Sequence, residues 1–140
     1  ARYVMEYADV VGVDFAENQI DRYHKEIGPN AFVGDITNLS FEDKYFDYSW
    51  SFTTFHYFPS LKYARQVIEE MKRVSKYGIF IGSIYTEGEY GNPWLNHKWH
   101  CIYPKSFIKN IGGNLMLDVN AVPPNMHTYN IYLDLSHEKI

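Results

Sequence analysis

The chain lacks the features that would place it outside the cell or in a membrane. It has 140 residues and a single cysteine, Cys101, so no disulfide can form within one chain. This excludes the disulfide-stapled scaffolds of small secreted proteins. No apolar run approaches the roughly 18 residues that a membrane-spanning helix needs. The first residues, ARYVMEYADV, do not have the pattern of a signal peptide. The sequence therefore predicts a soluble cytoplasmic protein with no membrane partner.

Basic charge and glycine-rich loops are also scarce. Thirteen Lys and Arg against seventeen Asp and Glu give a formal net charge of −4. Nucleic-acid-binding domains usually carry a basic surplus on one face, so this balance argues against a nucleic-acid partner. The phosphate-binding pattern G-x-G does not occur anywhere in the chain. Repeats and linkers are missing too, and the length predicts a single domain over residues 1–140.

Aromatic residues, in contrast, are abundant. Thirteen Tyr, nine Phe and three Trp make up 18% of the sequence. Buried Tyr and Trp side chains need a hydrogen-bond partner, so they tend to lie at the edges of cores and in ligand pockets. The composition favours a small-molecule site.

Short apolar runs alternate with segments of helical periodicity. Residues 1–8 are typical of the end of a helix, and Gly28-Pro29 and Gly112-Gly113 mark two helix ends. The predicted strands cover 10–14, 31–35, 46–52, 79–84, 115–119 and 129–133, and the predicted helices 16–27, 61–74 and 104–111. This order predicts an α/β fold with a mostly parallel sheet and a closing antiparallel strand pair.

The residues at the carboxyl ends of the predicted strands are the candidates for ligand binding, because ligands of such sheets bind beyond those ends. Asp14 has two interpretations: it accepts hydrogen bonds from the hydroxyls of a ribose, or it caps the following helix. Asp35 also has two, since it repeats the arrangement on the next strand, or forms a turn after Gly34. Both alternatives stay open at this point.

Three segments together resemble a known family. VVGVDFAENQI, AFVGDITNLSFEDKYFDYSWSFTTFHYF and ARQVIEEMKRVSKYG are similar to the middle of class I S-adenosylmethionine-dependent methyltransferases, above all their small-molecule members. The resemblance runs from about residue 1 to 85, and the pattern from PKSFIKNIGG onward is compatible with it through residue 135. It implies a Rossmann-like methyltransferase sheet and methyl transfer from S-adenosylmethionine to oxygen or nitrogen of a small molecule.

The resemblance also implies roles for individual residues. Asp14 would bind the cofactor ribose, and Phe15 would lie beside the adenine. Asp35 and the backbone of Ile36 would address the adenine edge. Ser51 and Phe52 would lie along the methionine end of the cofactor. The catalytic candidate is His56, placed near the transferred methyl group, where it would remove a proton from a hydroxyl acceptor.

Residues 90–103 follow the fifth family strand, where this fold commonly covers the acceptor. Here Trp94, Trp99 and His100, with Tyr57, are the candidates for substrate binding. The alternative is that the two Trp side chains only fill the core at the sheet end. The HKWHC segment matches no strong zinc pattern, so the sequence predicts no metal site.

One departure from the family stands out. Its members begin with a strand and a glycine-rich loop, D-x-G-x-G-x-G, which this sequence lacks. In the family sheet that strand lies between the strands predicted here at 10–14 and 46–52. The sequence therefore resembles an N-terminally truncated member with exposed strand edges, which favour self-association into a homo-oligomer. Two alternatives stay open: a degenerate binding module without catalysis, and, less favoured, another nucleotide-dependent Rossmann enzyme such as a dehydrogenase.

Overall fold

The computed structural model describes residues 2–86, 103–112, 114–118 and 127–136. They divide into two compact units, Ala1–Ser40 and Phe41–Ile140. The helices are α1 (Arg2–Met5), α2 (Glu17–Glu26), α3 (Leu61–Val74) and α4 (Lys105–Ile111), and a 3-10 turn covers Phe55–Tyr57. The strands are β1 (Gly12–Asp14), β2 (Ala31–Val33), β3 (Phe46–Phe52), β4 (Ser75–Thr86), β5 (Asn114–Asp118) and β6 (His127–Asp134). No helix of the described part is long and apolar enough to cross a membrane.

The first unit is a parallel strand pair joined through a helix. β1 pairs with β2, with Gly12 opposite Ala31 and Asp14 opposite Val33. The crossover helix α2 buries Ile20 and ends just before Gly28, whose φ of 158° suits glycine. Both strands are shorter than predicted. The chain stays extended beyond them, since Gly34 N–H donates to the Asp14 carbonyl at 3.0 Å.

The second unit contains a four-stranded sheet in the order β3-β4-β6-β5. β3 and β4 are parallel, whereas β6 is antiparallel to both β4 and β5. The Ser60 side chain caps α3 by accepting a hydrogen bond from Tyr63 N–H at 3.1 Å. The buried stripe of α3 is Ala64, Val67, Ile68, Met71 and Val74. The α/β fold with a closing antiparallel pair is confirmed. The strand pairings of the described residues are two parallel and two antiparallel, so they are mixed where the sequence predicted a mostly parallel sheet.

Strand β4 begins earlier than predicted. Ser75 follows α3 without a loop and pairs with Phe46, although the residues from Ser75 to Gly78 have the composition of a turn. The Ser75 hydroxyl is buried and hydrogen-bonds the Ser49 hydroxyl of β3 at 2.7 Å. Pairing of Ser75 with β3 outweighs the weak preference of these residues for a turn, because a buried polar group needs a hydrogen-bond partner.

A β-bulge interrupts β4 near its carboxyl end. Ile81 pairs with Ile131 and Ile84 with Tyr129, so β4 has one residue more than β6 over this stretch. Ser83 lies in the left-handed region with φ 57°, and its N–H donates to Asn130 Oδ1 at 2.9 Å. Since the bulge adds a residue, Ile81 and Ile84 are both fully buried despite their odd spacing.

The two sides of β3 differ in exposure. Ser49 and Ser51 are half-buried, while Tyr48, Trp50 and Phe52 on the opposite side are exposed by 55, 45 and 56%. We call these three side chains the aromatic stripe. Within the described residues, β3 pairs only with β4 and β1 only with β2. Neither strand therefore has a second neighbour in the described part of the chain, as the missing family strand predicts.

Arg73, at the end of α3, holds the loop that leads into β3. Its guanidinium donates to Glu70 at 2.6 Å, to Asp43 at 2.8 Å and to the Phe41 carbonyl at 2.8 Å. The hydrogen bonds to Glu70 and then to Asp43 raise the pKa of Arg73 above its ordinary value. The loop is thus tied to α3 before β3 begins, which helps to set the register of the parallel pair.

Candidate functional site

Asp14 ends β1 and is half-buried. Its Oδ1 accepts a hydrogen bond from Ala16 N–H at 2.8 Å, which orients the carboxylate at the start of α2. No described residue donates to Oδ2. The helix cap of one interpretation is not observed, because the N-cap of α2 is Ala16 and no side chain caps it. Asp14 instead forms a turn with Ala16, which uses one oxygen and leaves the other for a ligand hydroxyl.

A hollow of about 210 Å³ borders Asp14 and is lined by Gly12, Val13, Gln19, Ile20, Tyr23 and Ala31. Small-molecule sites usually have volumes of roughly 300–1,000 Å³. The hollow is therefore too small for a whole nucleoside cofactor. Next to Asp14, the Phe15 side chain is 83% exposed, so its ring is available to pack against a planar group.

Asp35 follows β2 and is exposed. Its Oδ1 accepts from Thr37 N–H at 2.8 Å and from the Thr37 hydroxyl at 2.7 Å, which makes it the turn-forming residue of one interpretation. Ile36, between them, is half-buried. These contacts engage one oxygen of Asp35 in the turn. The adenine contact that the resemblance implies would need a carboxylate oxygen of Asp35 that is accessible to the ligand.

Ser51 and Phe52 end β3 in the second unit. The Phe52 ring is exposed, and Ser51 is half-buried. Thr53 follows in the left-handed region with φ 56°, and its N–H donates to the Gly82 carbonyl of β4 at 3.2 Å. A β-branched residue at positive φ is strained, and such strain collects at functional sites. Sequence reasoning missed Thr53, because nothing in the residue type indicates this conformation.

His56 lies on the 3-10 turn that follows. Its side chain is buried, with 4% exposed, and its ring lies against the Tyr57 ring with centroids 4.1 Å apart. Tyr57 itself is 63% exposed. His56 follows β3 in the chain. A general base must come within hydrogen-bond reach of its acceptor, so an acceptor would have to meet the small part of the ring that is accessible.

Tyr103 is a second residue that the sequence did not single out. It is fully buried, and its hydroxyl donates to the Phe55 carbonyl at 2.7 Å across 48 positions of sequence. Only the three-dimensional structure could reveal this contact.

Trp94, Trp99 and His100, predicted to cover the acceptor, lie outside the described residues, as do His97 and Cys101. The described residues contain no group of three or more potential metal ligands.

Comparison with known proteins identifies the family of the chain. The family model of a methyltransferase domain matches residues 1–81, which is more than half of the chain. The chain belongs to the methyltransferase domain family. It is a class I methyltransferase, and its cofactor is S-adenosylmethionine. A search of curated proteins finds no significant match.

Solved structures of methyltransferases share its fold. A putative sarcosine dimethylglycine methyltransferase from Galdieria sulphuraria is 16% identical, with a TM-score of 0.67 over 99% of this chain and 74% of that one. A methyltransferase from Methanosarcina mazei is 13% identical, with a TM-score of 0.63 over 89% and 81%. Magnesium protoporphyrin IX methyltransferase from Synechocystis PCC 6803, solved with S-adenosylmethionine bound, is 10% identical, with a TM-score of 0.64 over 93% and 61%. At these identities the likeness shows the fold alone.

The residues of the methyltransferase's first unit fit part of this cofactor. The Oδ2 atom of Asp14 is the acceptor that a ribose hydroxyl needs, and the exposed Phe15 ring is the flat apolar surface that adenine needs. The methionine carboxylate needs several N–H donors, which the family takes from its glycine-rich loop. That loop has no counterpart in the sequence.

Proposed function

We propose that the chain transfers the methyl group of S-adenosylmethionine to oxygen or nitrogen of a small-molecule acceptor, and that residues 1–140 act as one domain. The family match supports the second point, because it runs through the first unit and into the second. The observation that carries the proposed binding mode is the Asp14 carboxylate, which Ala16 N–H orients at the carboxyl end of β1.

The proposed cofactor contacts are those that the family resemblance implies. Asp14 accepts from the ribose, Phe15 packs on the adenine, and Asp35 and the Ile36 backbone contact the adenine edge. Ser51 and Phe52 contact the methionine end. S-adenosylmethionine supplies an electrophilic methyl group, so the protein contributes mainly positioning.

The acceptor is assigned to the aromatic side chains that follow β3. The exposed Tyr57 ring supports an apolar contact with an acceptor, and Trp94, Trp99 and His100 are proposed to cover it. Where the acceptor is a hydroxyl, we assign proton removal to His56. Two of the similar structures are named for small molecules, sarcosine and dimethylglycine in one and magnesium protoporphyrin IX in the other, which supports this acceptor class.

Calorimetric titration with S-adenosylmethionine and S-adenosylhomocysteine tests the binding mode. Asp14→Ala should weaken both affinities by about 10- to 100-fold, the effect of losing a hydrogen bond to a charged group. Asp14→Asn keeps an acceptor for Ala16 N–H and removes the charge, so it separates ligand binding from folding. Asp21→Ala, which removes an exposed carboxylate from α2, is the control and should bind like the wild type. Equal affinity of all four proteins, or no binding at all, would contradict the proposal.

The acceptor class is tested with S-adenosylmethionine labelled in its methyl group. Labelled product should form from a panel of small hydroxylated and amine compounds, and His56→Ala should slow transfer to hydroxyls more than transfer to amines. Transfer only to a protein or a nucleic acid would contradict the small-molecule assignment.

Self-association and location in the cytoplasm complete the proposal. The unpaired edges of β1 and β3 among the described residues and the exposed aromatic stripe support a homo-oligomer. Light scattering after size-exclusion chromatography should give a mass above that of the 16.5 kDa chain. The single cysteine supports a reducing compartment, which tagged expression followed by fractionation would test.

A further inference from the structure

The 3-10 turn that contains His56 is held by a buried hydrogen bond from outside the turn. The Tyr103 hydroxyl donates to the Phe55 carbonyl at 2.7 Å, and both side chains have no exposed surface. The same carbonyl accepts from Phe58 N–H at 3.1 Å, which closes the turn. The carbonyl oxygen therefore receives two donors, one from within the turn and one from the segment that leads into α4.

Ring contacts continue this link into α4. The Tyr103 ring lies 4.9 Å from the Phe107 ring and 6.2 Å from the Phe55 ring, centroid to centroid, and Phe55 lies 4.7 Å from Phe58. Phe107 is buried in the first turn of α4, where its N–H donates to the Pro104 carbonyl at 2.8 Å. The His56 turn and the start of α4 thus form one packed aromatic cluster.

The turn is fixed at its entrance as well. Thr53, in its left-handed conformation, donates its N–H to the Gly82 carbonyl at 3.2 Å. His56 is therefore three residues beyond a strained anchor on β4 and one residue beyond the carbonyl that Tyr103 binds. Two attachments that do not involve the imidazole restrict where the imidazole can lie.

We propose that Tyr103 is a positioning residue: its hydroxyl holds the Phe55 carbonyl and so keeps His56 in its buried place on the turn. The inference rests on the proposed function, in which His56 takes the proton of a hydroxyl acceptor. It assigns Tyr103 no contact with cofactor or acceptor. Tyr103 acts through the backbone next to His56.

Carbethoxylation of His56 by diethyl pyrocarbonate, read by peptide mass spectrometry, tests the inference on the full chain. Tyr103→Phe keeps the ring and removes only the hydroxyl. Loss of one such hydrogen bond should raise the modification rate of His56 by about two- to tenfold. His24, which is exposed on α2, is the internal reference and should react at an unchanged rate.

Two control variants separate positioning from general destabilisation. Tyr45→Phe removes the hydroxyl of a Tyr that is 61% exposed, so His56 should react as in the wild type. Val74→Ala creates a cavity at the far end of α3, about 20 Å along the helix from Leu61. Val74→Ala should lower the melting temperature without a comparable change in the modification rate of His56. An unchanged His56 rate in Tyr103→Phe, or the same increase in Val74→Ala, would overturn the inference.

A measurement on the wild type covers the case in which Tyr103→Phe does not fold. If the turn and the start of α4 open together, hydrogen exchange should give the amides of Phe58 and Phe107 similar protection. Clearly different protection would overturn the inference.

Kinetics distinguish the positioning role from the proposed function. With a hydroxyl acceptor, Tyr103→Phe should lower kcat and leave the KM for S-adenosylmethionine and its calorimetric affinity unchanged. A rise in that KM with kcat unchanged would overturn the positioning role. If the wild type does not bind S-adenosylmethionine, the proposed function fails, while the His56 modification rates still decide whether Tyr103 holds the turn.

Discussion

The ring of Phe52 lies across Gly82 of the neighbouring strand, so close that a Cβ on Gly82 would come within 2.8 Å of Phe52 Cε2. The two residues are register partners in the parallel pair of β3 and β4. A Cβ on Gly78, four residues earlier, would instead meet the Leu133 carbonyl oxygen at 2.8 Å and the Tyr132 hydroxyl at 2.9 Å. The missing side chains at both glycines thus make room for aromatic rings that lie on the sheet.

Alanine at these two glycines should have unequal effects. Gly78→Ala would collide with backbone, which cannot move without disturbing the β4–β6 ladder, so the free energy of unfolding should fall by about 1–3 kcal/mol. Gly82→Ala would collide with a half-exposed ring that can rotate away, so its cost should be smaller. Urea denaturation measures both values. Adding Phe52→Ala should remove the cost at Gly82 and leave the cost at Gly78; an equal rescue at both sites would contradict this explanation.

Glycine should stabilise the chain at Thr53. Its φ of 56° is unfavourable for a β-branched residue, so Thr53→Gly should raise the free energy of unfolding by about 1 kcal/mol. Thr54, with φ −107°, is the matched control, and Thr54→Gly should lower it by about 0.5–1 kcal/mol. Because the strain lies at the entrance of the His56 turn, Thr53→Gly should also reduce methyl transfer. A Thr53→Gly protein less stable than the wild type would show that the conformation is not strained.

The bulge in β4 should depend on the side chain of Asn130. Asn130→Ala leaves the part-buried Ser83 N–H without its acceptor, which should cost about 1–3 kcal/mol. Asn130→Asp keeps an oxygen in place and should recover most of that loss. Thermal and urea denaturation of the three proteins give the comparison. Equal losses for Ala and Asp would mean that the amide nitrogen, and not Oδ1, stabilises this site.

Stability of the second unit should fall in alkaline solution. Burial raises the pKa of Tyr132 above its ordinary value of 10.0, and a side-chain hydrogen bond with Tyr77 raises that of Lys76 above 10.5. A group with a raised pKa in the folded state holds its proton more tightly there than when unfolded. Its contribution is therefore complete below the ordinary value and is lost as the pH rises through the folded-state pKa. The melting temperature should decline above pH 10, and less steeply in Tyr132→Phe; the same slope in both would contradict the assignment.

Local patterns predicted most of the elements, because periodicity and alternation reflect burial directly. The alternation from Phe46 to Phe52 matched β3 at both ends, and the stripe from Leu61 to Val74 matched α3. The segment from Ser75 to Gly78 was missed as strand, because its pairing with β3 is not visible in its own residues. The existence and type of the elements were thus predicted more reliably than their exact bounds or the pairing of distant segments.

In the candidate site, too, local contacts could be predicted from the sequence and contacts between distant residues could not. Asp14 ends β1 as expected, whereas Asp35 lies two residues beyond β2, and each accepts a hydrogen bond from the backbone N–H two residues later. These contacts span two residues, so sequence reasoning could anticipate them. The anchor from Tyr103 to Phe55 and the left-handed backbone of Thr53 depend on the folded chain, and neither residue type indicates them.

The extra residue in β4 also sets which changes of length the strand can accept. Ile81 and Ile84 are three positions apart, yet both are fully buried. Deleting Ser83 would remove the bulge, so Ile84 would lie two positions after Ile81 and stay on the buried face by strict alternation. Removal of both Gly82 and Ser83 would place Ile84 directly after Ile81 and turn it, together with everything after it, toward the opposite face. Shortened homologues should therefore tolerate the loss of one residue here better than the loss of two.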